Sequence, residues 1–302
     1  MADIYPYRER WAAGAKELTI TPPAGRAMIV EDVEVVAPNP GWAVLKSGLV
    51  SVGVFEIGPA VRNHLQPAWD GGGHYSLLKA ARERGLFTGY PVVEGDAFVV
   101  ACDVTADHIR VVYREVEAGD VTGEEPDAKA AKERFTVFYG TNADEISDSE
   151  YHALTKSLMP SEFKAWPFEM DVPPGYVITV HGLAFLEVEE NSYTGSTDTY
   201  IRTSRVRMKV NRETVWHPDE DGFLVLGDGA AAGSANVAYG QGKNVLPYVG
   251  DKYTTRFFWF KTPRELKAGD ELVTEVACTL DANAKLAAER LRMAYICKVV
   301  KE

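Results

Sequence analysis

Several short stretches of this chain carry residue types that could do chemistry. Phe223-Leu-Val-Leu226 followed by Gly227-Asp-Gly-Ala-Ala-Ala-Gly233 has the outline of a dinucleotide fingerprint, in which a glycine turn aims a helix N-terminus at a pyrophosphate. Gly240 and Gly242 interrupt any such helix, and no βαβ continuation follows, so a long irregular loop over 227–250 is expected. Gly240-Gln-Gly-Lys243 lacks the earlier glycine and the Ser or Thr of a phosphate-binding loop. Asp70-Gly-Gly-Gly-His74 precedes a helix and could cradle an anion on exposed N–H groups; the simpler reading is a connection at one end of a sandwich. His217-Pro-Asp219-Glu-Asp221-Gly222 gathers oxygen ligands for a calcium-type ion, but its EF-hand continuation is missing and Asp-Gly reads equally as a hairpin turn.

The six histidines are His64, His74, His108, His152, His181 and His217. They form no His-x-His pair and no His-Glu-x-x-His motif, and no Gly-x-Ser-x-Gly elbow occurs. His181 lies inside an alternating strand, where packing is the expected role. Cys102, Cys278 and Cys297 are an odd set without CxxC spacing, expected as buried thiols; a Cys278–Cys297 bridge requires their strands to be neighbours. No catalytic, cofactor-binding or metal-ligating residue is therefore assigned. The remaining lead is aromatic. Trp42, Trp69, Tyr75, Tyr239 and Tyr248 fall in or near expected loops, where rings stack on sugars or anchor protein interfaces, and both readings stand.

The elements that must position such residues are strands. Runs rich in β-branched and aromatic residues, punctuated by Gly and Pro, recur along most of the 302 residues. Residues 1–15 read as a polar, aromatic arm. A first sandwich is expected over 16–145, with a helix at Ser76–Gly85. A helical linker is expected over 146–166, where Ser147-Asp-Ser-Glu150 fits a capping box. A second sandwich follows over 167–302. The net charge of −12 repels phosphate backbones, which argues against direct nucleic-acid binding. No apolar stretch is long enough to span a bilayer, and the first ten residues hold no signal-peptide core.

The two halves share an ordered set of matches. Pro22-Pro23-Ala-Gly25 is answered by Pro173-Pro174-Gly175, and Gly95-Asp96 by Gly269-Asp270. Each Gly-Asp opens a strand carrying Val-Ala-Cys, at Cys102 and Cys278. Ile109–Tyr113 is answered by Leu291–Tyr295. The spacing between matched residues grows along the chain, as loop insertions in a duplicated domain would require. Seven to nine strands in roughly 130 residues per half suit a jelly roll or related sandwich.

In this architecture the chain resembles the tandem jelly-roll coat proteins of icosahedral viruses. The resemblance covers most of the length but no single diagnostic motif. It implies a virion structural protein, made in the host cytoplasm, that forms homo-oligomers and packs with other virion proteins, without enzymatic activity or cofactor. A carbohydrate-binding β-sandwich and a sandwich enzyme of the glycosidase type are the alternatives.

Overall fold

The computed structural model describes residues 7–58, 65, 76–121, 133–157, 172, 174–188, 193–194, 201–216, 258–280, 285–289 and 291–302. The chain is all-β and divides into two compact units, Met1–Val137 with Lys298–Glu302, and Phe138–Cys297.

The first repeat contains β1 (Tyr7–Ile20), β2 (Arg26–Val36), β3 (Gly41–Ser47), β4 (Val50–Ile57), helix α1 (Leu77–Glu83), β5 (Tyr90–Val92) and β6 (Phe98–Glu117). All strand pairs are antiparallel. The long β6 meets two partners in succession. Its first half pairs with β3, from Ser47↔Phe98 to Ala43↔Cys102, and its second half with β2, from Val36↔His108 to Arg26↔Glu117. Strand β1 follows the other side of β6 along both halves, with a register shift between Ala15 and Glu17. One sheet therefore reads β5-β2-β6-β1 and the other β4-β3-β6-β1, with β1 and β6 shared. Counting the halves of β1 and β6 separately gives the eight-stranded, two-sheet order of a jelly roll. Its interior is built from alternating apolar residues, including Met28, Val30, Val33, Leu45, Phe55, Phe98, Val100, Ile109 and Val111.

The second repeat contains β7 (Glu133–Thr141), β8 (Tyr151–Ala153), β9 (Lys156–Ser157), β10 (Tyr176–Val188), β11 (Tyr193–Thr194), β12 (Ile201–Val210), β13 (Glu213–Trp216), β14 (Phe258–Leu266), β15 (Leu272–Leu280), β16 (Lys285–Leu286) and β17 (Leu291–Lys301). Its sheets are β14-β10-β17-β7-β9 and β13-β12-β15-β8, with β11 and β16 forming a separate two-stranded ribbon. The order is that of the first repeat with three changes, the first being β9, added beyond β7 at the edge where β1 has no partner among the described residues. The path of β1 is divided between β7 and β8, and the path of β6 between β15 and β17.

The duplication extends to register. Met28↔Val92, Ile29↔Pro91 and Val30↔Tyr90 in the first repeat match Ile178↔Leu266, Thr179↔Glu265 and Val180↔Arg264 in the second. The β3–β4 hairpin pairs Ser47↔Val50, Lys46↔Ser51 and Leu45↔Gly53, slipping between Leu45 and Lys46. The β12–β13 hairpin pairs Val210↔Glu213, Lys209↔Thr214 and Met208↔Trp216, with the same slip between Met208 and Lys209. Both turns that follow a proline pair in sequence place glycine at positive φ, 75° at Gly25 and 79° at Gly175; both Gly-Asp turns do so too, 89° at Gly95 and 86° at Gly269. In each repeat the two turns are tied together. The Gly25 amide donates to Glu94 Oε1 at 2.6 Å, and the Gly269 amide donates to the Val172 carbonyl at 2.9 Å.

Several sequence expectations are corrected. Residues 7–15, expected within an N-terminal arm, form the first half of β1, held by β6. The expected helical linker at 146–166 instead holds β8 and β9 in its described part. Asp148 caps a turn by accepting the Glu150 amide at 2.9 Å, and β15 then draws Tyr151–Ala153 into its sheet, so pairing outweighs the local helix signal. Strand β7, expected in the first sandwich, opens the second jelly roll. The Val-Ala-Cys triplets are not register equivalents. Ser47↔Phe98 corresponds to Val210↔Leu272, which places Cys102 opposite Ala43 as Val276 is opposite Val206. The expected helix at Ser76–Gly85 is present as α1. Ser76 is its N-cap, its hydroxyl accepting the Lys79 amide at 3.1 Å. The glycine-rich segment 227–250, the 217–222 loop and the 70–74 loop lie outside the described residues.

Candidate functional site

The described surface is most unusual along β1. This strand pairs with β6 on one side, and among the described residues no strand pairs with the other. An edge of that length presents a row of backbone donors and acceptors to any extended segment that reaches it. From Tyr7 to Trp11 every side chain is exposed. Tyr7 is 63% and Trp11 58% exposed, two of the three large exposed apolar side chains among the described residues; Leu49, at the tip of the β3–β4 hairpin, is the third.

Register explains why Trp11 sits where it does. Trp11 lies opposite Arg110, and Arg110 lies opposite Glu34. Facing residues across a ladder share a face, so these three side chains form one row over β1, β6 and β2. Arg110 bridges the row, with Nη2 at 2.7 Å from Glu9 Oε2 and Nη1 at 3.0 Å from Glu34 Oε2. Trp11 Nε1 donates to Glu9 Oε1 at 3.2 Å, and its ring meets His108 edge to face at 4.6 Å. Hydrogen bonds from Arg110 and then Trp11 lower the Glu9 pKa. The indole is thus fixed in place on an exposed strand.

Next to Glu34 of this row, β2 also carries Glu31 and Asp32, and Glu31 and Glu34 are buried. Glu31 receives Arg82 of α1 at 2.6 Å and also Arg114 of β6. Asp32 accepts the Ser76 hydroxyl at 2.7 Å and the Val33 amide at 3.0 Å. Burial raises the Asp32 pKa to about 6, against the lowering effect of the Ser76 bond. The cluster pins α1 to the sheet through its N-cap and its last turn. Its acids are committed to arginines and to a cap. Among the described residues no group of three or more His, Cys, Asp or Glu is placed to hold a metal ion.

Of the aromatics singled out in the sequence, Trp42 is described. It is a half-buried residue of β3, whose amide donates to Asp103 Oδ1 at 2.7 Å. Trp69, Tyr75, Tyr239 and Tyr248 lie outside the described residues. His181 is on β10, at a break in its ladder with β14. Cys102 and Cys297 are free buried thiols; burial, with the Asp103 charge second, pushes Cys102 up to about 12. Cys297 lies on β17, in a different sheet from the β15 strand that carries Cys278. Sequence reading missed Tyr7 and Trp11 because Ala12-Ala-Gly-Ala15 beside them is poor in β-formers. The alternation Tyr7-Arg-Glu-Arg-Trp11 was the available signal.

No family model matches the chain, and no curated protein matches it. Among solved structures it is similar to the CUB1-EGF-CUB2 domain of human MASP-1/3, at 8% identity and a TM-score of 0.20, covering 96% of this chain and 99% of that one. A score that low carries no argument about this chain.

Proposed function

We propose that this chain is a structural subunit of a virion, a capsid-type protein that assembles with copies of itself through β-sandwich surfaces and loops. The observation that carries the reading is the exposed β1 edge, where Tyr7 and a fixed Trp11 stand beside a row of backbone groups with no strand partner among the described residues. Natural proteins usually protect such edges or use them. Tyrosine and tryptophan are favoured interface anchors because they bury large area at low entropy cost. The tandem jelly rolls fit the reading, since two sandwiches in one chain can present quasi-equivalent faces to neighbours. A subunit of this kind acts through contact surfaces and carries out no catalysis. It would reside in the virion after synthesis in the host cytoplasm.

The test is the mass of the full chain. Light scattering after size exclusion, with electron microscopy of the same fractions, should show defined oligomers or shells that grow with concentration. Trp11→Glu should move assembly to at least tenfold higher concentration while leaving the fold intact. A protein that stays monomeric at millimolar concentration, alone and with other components of its particle, defeats the reading.

A further inference from the structure

The duplication singles out one arginine. Tyr90 and Arg264 hold the same place in the two repeats, Tyr90 opposite Val30 and Arg264 opposite Val180. Val30 and Val180 are both fully buried, and facing residues share a face, so both side chains leave their strands on the interior side of the sheet. In the first repeat the place is filled by a ring packed on Phe87 at 4.7 Å and Phe98 at 5.7 Å. In the second repeat Lys261 precedes Arg264 by the same interval that Phe87 precedes Tyr90, and Leu272 replaces Phe98. The place of a buried ring is taken by an arginine.

Arg264 is half-buried, and its Nε is buried without a hydrogen bond. The neighbouring carboxylate of Glu265 lies opposite Thr179, on the other face, and is 3.5 Å from Lys267. A buried donor without an acceptor is costly, and native proteins rarely leave one so. Beside it the ladder opens. Pairing stops at Val180↔Arg264 and resumes at Gly182↔Trp259, so His181 alone faces the stretch from Phe260 to Pro263. Such bulges re-aim side chains and break the regular surface.

We infer that Arg264 is the anchoring cation of a site for one oxyanion, seated at the β14 bulge. The guanidinium fork suits a carboxylate, which it grips with two parallel N–H bonds. The carboxylate comes either from a small free anion or from an acidic side chain of another copy, which a chain of net charge −12 offers freely. The second source rests on the assembly reading above; the first does not.

The experiment has one arm for each source and uses the full chain. In the first, unassembled protein is titrated with acetate, phosphate or sulfate at constant ionic strength, with chloride as the reference, by calorimetry and thermal midpoint. In the second, assembly is followed by light scattering. The variants are Arg264→Met, Arg264→Lys, and Arg264→Tyr, which installs the residue of the first repeat and keeps the fold testable if methionine does not. A free-anion site saturates at one per chain, loses at least tenfold affinity in Met and Tyr, and several-fold in Lys. A site filled by another copy shows no small-anion binding, but the Met and Tyr variants assemble at tenfold higher concentration. Anion binding that survives Arg264→Tyr overturns the inference. So does a folded Arg264→Tyr protein that assembles normally when the wild type binds no anion. A wild type that never assembles removes the assembly reading and leaves the first arm to decide this one.

Discussion

Gly48 and Asn211 are the same corner of one hairpin built twice. The Gly48 amide donates to the Ala97 carbonyl at 2.9 Å, and the Asn211 amide donates to the Glu271 carbonyl at 3.0 Å. Both residues have positive φ, 58° and 51°. The two turns differ in type: Arg212 after Asn211 is also at positive φ, 74°, whereas Leu49 after Gly48 is not. The Gly48 turn is therefore the hairpin turn that wants glycine at its first corner, and the Asn211 turn the one that accepts asparagine. Glycine adopts this conformation freely. Asparagine tolerates it and adds local bonds, with Oδ1 accepting the Glu271 amide at 3.0 Å and Nδ2 donating to Asp270 Oδ1 at 2.6 Å. Exchanging the solutions is informative. Gly48→Asn should cost about 1 kcal/mol and Gly48→Val about 2 kcal/mol. Urea midpoints at constant m-value measure both.

Asp32 gives the fold a pH dependence whose sign can be worked out. Its folded pKa, about 6, is above its ordinary value of 3.8, chiefly through burial. The folded state therefore holds this proton more tightly than the unfolded state, and the contribution of Asp32 to stability falls as pH rises from about 4 to about 6. An asparagine at this position keeps an oxygen that can accept from Ser76 and Val33. Asp32→Asn should thus gain on the wild type over that window, reaching on the order of 2 kcal/mol near pH 7. A wild-type and variant pair with parallel stability curves from pH 4 to 7 would contradict this assignment.

Glu31 is the hinge pin of the charge cluster, since Arg82 and Arg114 both end on it. Glu31→Gln leaves two partly buried guanidinium groups without their counter-charge and should cost about 2 kcal/mol, discounted for their remaining exposure. Amides of α1 should then exchange faster with solvent deuterium. By contrast, Arg8→Ala removes a pair to Glu115 whose arginine is 53% exposed and should cost under about 0.5 kcal/mol. Equal losses in the two variants would show that burial does not govern these pairs.

Cys102 and Cys297 should be unreactive in the folded protein. Both are buried, and burial raises both thiols, so the reactive thiolate is scarce. A Cys278→Ser protein should react with a thiol reagent at least a hundredfold more slowly in buffer than in denaturant. Rapid native labelling of either cysteine would place it at the surface.

What could be read in advance was punctuation. Pro-Pro-Gly and Gly-Asp were legible as repeated turns because positive φ leaves its mark on residue type, and the Ser76 cap was legible for a similar reason. Pairing was not. Ala12-Ala-Gly-Ala15 becomes a strand because β6 offers its edge, and Ser147–Glu150 fails to start a helix because β15 takes up the next three residues. The Cys102 and Cys278 match was off by two residues, since register is fixed by the turns and not by the triplets. The site was harder still. Trp11 and Arg264 stand out through what lies opposite them, and no local pattern states that.

The unbroken β6 has a consequence for how the molecule opens. In the first repeat one strand carries ladder bonds of both sheets, so neither sheet can fray far without loosening the other. In the second, β15 and β17 divide that duty, and each sheet can melt by its own route. Native-state hydrogen exchange should accordingly find one cooperative opening unit in the first jelly roll and two in the second. The same blueprint, drawn once with a continuous line and once with a broken one, would yield a stiff half and a half that can yield locally when neighbours pull on it.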